Sequence, residues 1–215
     1  MSSLPFASRT EAGTLLAKEL VSYKESEDTL VLALVRGGVV VGSALSKELS
    51  LPLFPYIVRK IGHPEHREFA VGAIAEGGAT YLDDKALQMH SVSWDDVEKV
   101  IEEEQVELMR REEAYLIKAR PDLEGKTVIL TDDGAATGST IYAAIDDLKD
   151  AKVKKLIVAI PVCPPDTGLR LKEKSDEAYI LAEPEDFYAV GQFYTAFDEV
   201  KDNEVIEILK SCGSP

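Results

Sequence analysis

The chain has 215 residues, of which 45% are hydrophobic and 29% are charged, a composition typical of globular proteins that bury a core. Its 24 basic and 39 acidic side chains give a net charge of −15, which argues against a surface that binds DNA or RNA through phosphate neutralisation. No uncharged stretch approaches the roughly 18 apolar residues of a membrane-spanning helix. With no visible export signal and only two cysteines, we expect a cytoplasmic protein with reduced thiols at Cys163 and Cys212.

The chain shows no repeat or low-complexity linker, so we predict one domain over residues 1–215, in which strands alternate with helices. Hydrophobic spacing and glycine breaks predict the elements of the first half. They are a helix over 9–23, a strand over 30–35 ending at Arg36-Gly37-Gly38, a helix over 39–49, a strand over 53–58, a polar segment over 59–68, and a β-hairpin of 69–75 and 79–82.

The second half begins with a long helix that Ser93 is predicted to cap and that runs to about Arg120, with an apolar stripe of Trp94, Val97, Ile101, Leu108 and Tyr115. The predicted elements that follow are a strand over 127–131, a loop over 132–137, a helix over 138–149, a strand over 156–162, a helix over 165–174, a strand over 178–181, an aromatic segment over 187–197 and a helix over 203–210. Apolar strands without alternation are typical of parallel sheets covered on both faces. The pattern predicts an α/β fold with an open, mainly parallel sheet flanked by helices.

The segment Val128–Thr140 carries the clearest chemical pattern. A buried strand ends in Asp132 and Asp133, a loop of small residues follows, and a helix begins near Gly138. The helix N-terminus offers unpaired N–H groups and a positive dipole end, which suit a phosphate dianion. Adjacent carboxylates instead accept hydrogen bonds from vicinal hydroxyls or bind Mg²⁺. We therefore predict a sugar-phosphate site; a solvated turn, with Ser139 as an ordinary helix cap, is the less favoured interpretation.

This pattern lacks the Gly-Lys-Ser/Thr of a nucleotide P-loop and the spaced glycines of a dinucleotide fold. It resembles the signature of the type I phosphoribosyltransferases: four mostly apolar residues, two acids, and a small-residue loop that ends in Thr-Gly and a hydroxyl. Arg36-Gly37-Gly38 resembles the family's pyrophosphate loop, and the region 58–77 is similar to an uncharacterised subgroup of the family. The resemblance covers nearly the whole chain and implies a small hood with a flexible hairpin or loop insertion.

The resemblance implies that phosphoribosyl diphosphate and Mg²⁺ are bound, and that a nucleobase or similar nitrogen acceptor displaces pyrophosphate at ribose C1. The implied catalytic residues are Asp132, Asp133, Arg36, Arg59 and Lys60, with Mg²⁺ held mainly through the substrate and the two aspartates as its candidate protein ligands. The implied residues for the substrate's phosphates and ribose also include Gly37, Gly38, Gly134, Ala135, Ala136, Thr137, Gly138, Ser139 and Thr140. Arg59, Lys60 or Arg67 would supply the local positive charge that the acidic chain requires.

The segment Ile61–Glu68 occupies the place of the family's mobile loop, which would close over the substrate. Its residues His63 and His66 are spaced like a metal-binding pair, but without further ligands we interpret them, with Arg67, as loop residues. Arg9, in an N-terminal segment rich in capping residues, is assigned no functional role.

The segment that contains Phe187 and Tyr188 resembles the stretch that purine-type members place against the base; packing of the C-terminal helix explains these aromatic residues equally well. Those members carry a lysine where this chain has Cys163-Pro164-Pro165, which argues against a hypoxanthine or guanine enzyme. The resemblance also implies a homodimer, and we expect neither a nucleic acid nor a membrane as partner.

Two other functions use the same pattern. A sensor would bind phosphoribosyl diphosphate without turnover, although the chain shows no basic nucleic-acid face through which such a regulator could act. A hydrolase of phosphorylated sugars would release phosphate or pyrophosphate without any acceptor.

Overall fold

The structure, a computed structural model, describes residues 4–67, 69–89, 92–115 and 121–212. The strands are β1 (Thr29–Leu34), β2 (Leu53–Tyr56), β3 (Val58–Gly62), β4 (Ala70–Ala75), β5 (Thr80–Leu82), β6 (Thr127–Thr131), β7 (Lys155–Val162) and β8 (Glu177–Ala182). The helices are α1 (Arg9–Glu19), α2 (Gly37–Leu49), α3 (Asp84–Met89), α4 (Trp94–Ala114), α5 (Ser139–Asp150), α6 (Pro165–Lys174) and α7 (Asp202–Ser211). Short 3₁₀ helices cover Val21–Tyr23 and Val190–Phe193.

Five strands form a parallel sheet in the order β2-β1-β6-β7-β8. Alternate side chains of each strand point to opposite faces, and both faces are buried. On one face, Leu32 and Leu130 pack with α5 and α6; on the other, Val31 and Ile129 pack with α1, α2 and α7. These observations confirm the predicted fold class of a parallel sheet flanked by helices.

The strand order places a switch point between β1 and β6. The chain leaves β1 toward β2 on one side, whereas β6 pairs with β1 on the other, with Ala33 opposite Thr131. In open α/β sheets, ligands bind in the crevice beyond the carboxyl ends of the strands at such a point. The segments after Leu34 and Thr131 therefore meet where a ligand is expected.

A second, antiparallel sheet has the order β3-β4-β5. The predicted hairpin is confirmed, but the predicted strand over 53–58 is wrong, because it divides at Ile57 and continues as β3 in the second sheet. The predicted polar segment over 59–68 therefore begins inside a strand, in which Arg59 and Lys60 lie opposite Ile74 and Ala73. The sequence gives no sign of this division, because residues 53–58 form one apolar run without a break in hydrophobicity.

Helix α4 packs on the antiparallel sheet through an apolar cluster that contains Val97, Val100, Ile61 and Ile74. The predicted cap is confirmed, since Ser93 and Asp96 form a reciprocal capping box. Trp94 does not belong to the buried stripe, because 58% of its surface is exposed.

Two helix boundaries also differ from the prediction by two residues or more. The first helix ends at Glu19 before the short 3₁₀ helix, and α2 already begins at Gly37, so the two glycines lie in its first turn. Helix α3 was not predicted. The predicted end of the long helix near Arg120 lies outside the described residues, as do Glu68 and His90. None of the described helices combines the length and the apolar character needed to cross a membrane.

Candidate phosphoribosyl-binding site

A cleft of about 970 Å³ opens at the switch point between β1 and β6. Five segments wall it: the turn after β1, strand β3 with its following loop, the loop after β6 with the start of α5, one turn of α4, and the aromatic segment after β8. Its charged lining residues are Arg36, Arg59, Lys60, Arg67, Glu103, Glu104, Asp132 and Asp133. The cleft thus collects residues that lie far apart in the sequence, and it includes most of the predicted site.

Asp132 and Asp133 lie at the carboxyl end of β6, which is buried along its whole length. The Asp133 backbone N–H donates to the Asp132 Oδ1 at 2.8 Å, which fixes the orientation of the first carboxylate. The hydroxyl of Tyr194 donates to the Asp133 carbonyl oxygen at 2.6 Å and holds the loop from the opposite side. Both carboxylates line the cleft, as the sequence pattern requires.

Burial opposes the negative charge of both aspartates. Loss of solvation raises the pKa of Asp132 well above its usual range, and the neighbouring Asp133 charge raises it further. Burial also raises the pKa of Asp133, while the hydrogen bond from Arg9 acts in the opposite direction. The site therefore keeps two carboxylates together, and a backbone hydrogen bond to Asp132 and the nearby cations Arg9 and Lys60 favour their ionised form.

Arg9, to which the sequence interpretation assigned no role, is part of this site. Its Nε donates to the Asp133 Oδ2 at 2.7 Å, and its Nη1 donates to the Asp198 carbonyl oxygen at 2.8 Å. Its guanidinium lies 3.7 Å from the centroid of the Phe197 ring, which itself lines the cleft. No local signal marks this contact, because the two bonded side chains are 124 positions apart in the sequence.

The loop after β6 leads directly into the N-terminus of α5, as predicted. Gly138 takes the left-handed conformation, with φ of 79°, and a Cβ there would overlap the Tyr142 ring beneath it. Thr167 of α6 donates to the Ala136 carbonyl oxygen at 2.8 Å and so supports the loop from behind. The first N–H groups of α5 lack intrahelical partners and carry the positive end of the helix dipole, which makes this loop a suitable phosphate cradle.

Two residues predicted to bind substrate support this loop and the turn after β1 without lining the cleft. Ser139 is buried, and its hydroxyl lies 3.1 Å from that of Thr137, which does line the cleft. Gly38 packs against the backbone of Asp132, where a side chain would find no room. Glycine at this position therefore allows the turn after β1 to approach the end of β6.

The predicted pyrophosphate loop reaches the cleft through Arg36 and Gly37. Arg36 follows a cis peptide bond and precedes the first turn of α2. Its guanidinium bonds to Glu199 at 2.8 Å and lies 3.9 Å from Asp202. A phosphate that binds this guanidinium would therefore share it with carboxylates of the C-terminal segment or displace them.

Strand β3 and the loop after it supply the other cations. Arg59 donates through Nε to Glu104 at 2.7 Å, and Arg67 donates through Nη2 to Glu103 at 2.7 Å. Lys60 is exposed, and its charge favours ionised Asp132 by lowering the pKa of that carboxyl. The two α4 carboxylates were not among the predicted site residues, because a helix with many acidic residues gives no sign of which ones face a ligand.

Four other predicted residues, His63, His66, Phe187 and Tyr188, do not line this cleft. His63 accepts backbone hydrogen bonds from Glu65 and His66 at its Nδ1, which organises the turn of the loop. The Phe187 ring packs against Phe193 with centroids 4.9 Å apart, and Tyr188 is 89% exposed. Within the described part of the chain, Val190 and Phe197 are the members of the aromatic segment that reach the cleft. The assignment of Phe187 and Tyr188 to the acceptor stays a prediction.

The donor set at Asp132 and Asp133 fits a magnesium ion that is bound mainly through a ligand. Mg²⁺ prefers oxygen ligands, keeps several waters, and usually takes one or two carboxylates together with substrate phosphates. The described residues contain no group of three or more histidine, cysteine or acidic side chains arranged around a metal position. The two carboxylates beside a phosphate cradle match that shared mode of binding.

A family model described as the phosphoribosyl transferase domain matches residues 8–198. The chain belongs to this family. Two strains of Mycobacterium tuberculosis, CDC 1551 / Oshkosh and H37Rv, have proteins named "Putative phosphoribosyl transferase" that are each 36% identical to this chain over 205 residues. The match covers 95% of this chain but 46% of each relative, so the chain spans about half the length of these curated relatives.

Solved structures share the fold of this chain. The crystal structure of the protein TT1426 from Thermus thermophilus is 36% identical and superposes with a TM-score of 0.80, covering 97% of this chain and 99% of that one. A purine phosphoribosyltransferase from Pyrococcus horikoshii is 17% identical with a TM-score of 0.50, covering 90% and 92% of the two chains. The second likeness shows a common fold.

Proposed function

We propose that this protein is a phosphoribosyltransferase that uses phosphoribosyl diphosphate and Mg²⁺ to transfer the phosphoribosyl group to a nitrogen acceptor. In this reaction the bond between ribose C1 and the pyrophosphate oxygen breaks, a bond from C1 to nitrogen forms, and the acceptor nitrogen loses a proton. The observation that carries the proposal is the meeting, in one cleft, of Asp132 and Asp133, the N-terminus of α5 and the cations of β3.

In the proposed complex, each part of the substrate takes a separate position in the cleft. The loop from Ala135 to Thr140 would grip the 5-phosphate through backbone N–H groups and hydroxyls. Asp132 and Asp133 would accept hydrogen bonds from the two ribose hydroxyls. Binding energy from these parts, away from the reacting carbon, would fix C1 relative to its leaving group.

The chain's charges suit the proposed transition state. Positive charge develops on the ribose ring as the C1–O bond breaks, and the buried carboxylates would stabilise it in a medium that screens weakly. Arg36, Arg59 and Lys60 would take up the negative charge of the leaving pyrophosphate. Bound Mg²⁺ would supply further neutralisation of that charge.

A non-catalytic sensor of phosphoribosyl diphosphate is the second candidate. It is favoured by one observation, that Phe187 and Tyr188 lie away from the cleft and leave the acceptor without the aromatic contact expected for it. The two functions share every residue that would bind the substrate, so only turnover separates them.

A turnover assay tests the proposal. The protein would be incubated with phosphoribosyl diphosphate, Mg²⁺ and, one at a time, purine bases, pyrimidine bases and ammonium, with pyrophosphate and nucleotide products measured. Acceptor-dependent release of both products is expected, and Asp132→Asn/Asp133→Asn should lose it. Pyrophosphate release at the same rate with and without an acceptor would identify a hydrolase. Binding of phosphoribosyl diphosphate without any pyrophosphate release would identify a sensor.

The family resemblance also leads us to propose a cytoplasmic homodimer whose single domain spans residues 1–215. Size-exclusion chromatography with light scattering tests the assembly directly. A mass of about twice 23.5 kDa is expected, and a mass of one chain would refute the dimer.

A further inference from the structure

Helix α4 brings carboxylates into the cleft that the proposed chemistry does not use. The helix packs on the antiparallel sheet through apolar residues such as Val97 and Val100. One turn further along, Glu103 and Glu104 line the cleft and bond to its arginines. Carboxylates next to a site for a pyrophosphate anion are unfavourable unless they serve another purpose, because they repel that anion.

The two ion pairs differ in their surroundings. The side chains of Arg59 and Glu104 are 23% and 17% exposed, whereas those of Arg67 and Glu103 are 46% and 63% exposed. A half-buried pair is screened less by water and salt than an exposed pair, and its geometry is better defined. The pair of Arg59 and Glu104 is therefore the one that can hold a side chain in place.

The hydrogen bond of this pair uses only the Nε donor of the guanidinium. Glu104 Oε2 accepts from the Arg59 Nε at 2.7 Å, and no other described carboxylate forms an ion pair with Arg59. A guanidinium has five N–H donors in a planar fork, so four donors on the Nη atoms remain available to a second anion. Arg59 itself lines the cleft, with its backbone fixed in β3 opposite Ile74.

We propose that Glu104 is a positioning residue, which anchors Arg59 through Nε so that its Nη atoms are presented to the pyrophosphate end of the cleft. This inference rests on the proposed function. In this role Glu104 acts through Arg59 and not by contact with the substrate. Without the anchor, a long and flexible side chain must be ordered at the moment of binding, which weakens the complex.

The test compares Glu104→Ala and Glu104→Gln with Glu107→Ala as control. Glu107 lies one turn further along the same helix, pairs with Arg110 and Arg111, and does not line the cleft. Calorimetry would measure the affinities for Mg²⁺-pyrophosphate and for ribose 5-phosphate. We expect Glu104→Ala to weaken pyrophosphate binding about tenfold, as loss of a charge-assisted contact does, and to leave ribose 5-phosphate binding unchanged.

Glu104→Gln should recover part of the affinity, because its amide oxygen still accepts a hydrogen bond from Nε. Glu107→Ala should match the wild-type protein. If Glu104→Ala binds pyrophosphate as tightly as the wild-type protein or more tightly, the inference is overturned; tighter binding would mean that Glu104 competes with the anion. If the wild-type protein binds neither pyrophosphate nor phosphoribosyl diphosphate, the proposed function itself fails.

A second measurement needs no ligand. The Nε–H signal of Arg59 in a nitrogen-15 spectrum, assigned with Arg59→Lys, should exchange slowly with water in the wild-type protein and in Glu107→Ala. In Glu104→Ala it should exchange faster while the other arginine signals stay unchanged. Equal exchange rates in all three proteins would overturn the anchor, whatever the substrate is.

Discussion

At the scale of single residues, the buried and adjacent carboxylates of Asp132 and Asp133 lower the stability of the folded protein. Burial and mutual repulsion raise the pKa of Asp132, so the folded protein resists the charge that the site needs. Arg9 and Lys60 reduce this cost by favouring the ionised carboxylates. An unfavourable electrostatic environment of this kind is typical of residues that are selected for a function and not for stability.

The change Asp132→Asn should therefore stabilise the protein at neutral pH. A carboxyl whose pKa is raised by folding binds more protons in the folded state, so its contribution to stability falls as pH rises from the unfolded pKa, about 3.9, toward the folded one. Asparagine does not titrate and still accepts the Asp133 N–H. Urea unfolding at pH 7.5 should show a larger free energy of unfolding for the variant, with a gain that shrinks toward about pH 3.5, below that unfolded pKa. A less stable variant at pH 7.5 would contradict this reasoning.

Arg9 is expected to keep Asp133 ionised. In Arg9→Met, the hydrogen bond that lowers the pKa of Asp133 is lost while burial remains, so this pKa should rise. Ribose 5-phosphate binding should then weaken more at pH 6 than at pH 8.5, because a protonated carboxyl accepts fewer hydrogen bonds. Calorimetric titration with ribose 5-phosphate at pH 6 and at pH 8.5 measures the two affinities.

Arg110→Met is the matched control for Arg9→Met, since Arg110 is a largely exposed arginine on α4 that pairs with Glu107. Its affinities should equal those of the wild-type protein at both pH values. An Arg9→Met protein with the same pH dependence as this control would exclude the assigned role.

At the scale of the secondary-structure elements, the phosphate loop depends on how α5 begins. An alanine at position 138 must adopt a positive φ and would also overlap Tyr142, whose ring lies below the loop. We expect Gly138→Ala to destabilise the protein by roughly 2 to 4 kcal/mol, the range of substitutions that add a steric clash to backbone strain, and to weaken ribose 5-phosphate binding.

A substitution at Gly125 distinguishes the effect of backbone strain on stability from the effect of the clash with Tyr142. It also has a positive φ, 72°, but a Cβ there would meet nothing within 4 Å. Gly125→Ala should cost only about 1 kcal/mol, the penalty of the left-handed conformation, and leave binding unchanged. Thermal unfolding and calorimetry on both variants make the comparison. Equal losses of stability would argue against the contact with Tyr142.

The same elements show what the sequence could predict. β6, α5 and α6 have strong local signals: an unbroken apolar run, a glycine before a helix, and a proline at a first helical turn. Their predicted bounds agree with the structure to within one residue. The division between β2 and β3 at Ile57 has no local signal, because residues 53–58 form one apolar run and only the pairing of β3 with β4 separates the two strands.

The candidate site shows the same difference between residues with a local sequence signal and residues that only tertiary contacts bring together. Asp132, Asp133 and the loop to Thr140 form one continuous motif, and the cleft contains most of it. Arg9, Glu103 and Glu104 were missed because they join the site through tertiary contacts from distant helices. Nothing in the spacing of these residues distinguishes them from other charged residues on a solvated helix face.

At the scale of the whole molecule, the cleft lies between the parallel sheet and the antiparallel sheet, so its shape depends on the contact between them. Asp147 of α5 forms part of that contact. Its carboxylate accepts hydrogen bonds from the Tyr56 hydroxyl and from the backbone N–H groups of Gly77 and Ala79, the last two at 3.1 Å. The turn of the hairpin is thereby attached to the helix that begins at the phosphate loop.

Asp147→Ala should loosen this attachment. The loss of three hydrogen bonds to one carboxylate is expected to cost about 2 kcal/mol. Hydrogen exchange should accelerate over residues 76–80 while β6 and β7 keep their protection. Asp150→Ala, at an exposed position of the same helix, is the control and should change neither quantity. Unchanged exchange at the turn in Asp147→Ala would show that the sheets are held together elsewhere.

The central claim is that the carboxylates and the phosphate loop form one site for a ribose phosphate whose diphosphate carries Mg²⁺. Calorimetric titration with phosphoribosyl diphosphate, with and without Mg²⁺, tests it most directly. We predict Mg²⁺-dependent binding to the wild-type protein and its loss in Asp132→Asn/Asp133→Asn, which should remain folded. Equal binding by the double variant, or no binding by the wild-type protein under either condition, would contradict the assignment of the site.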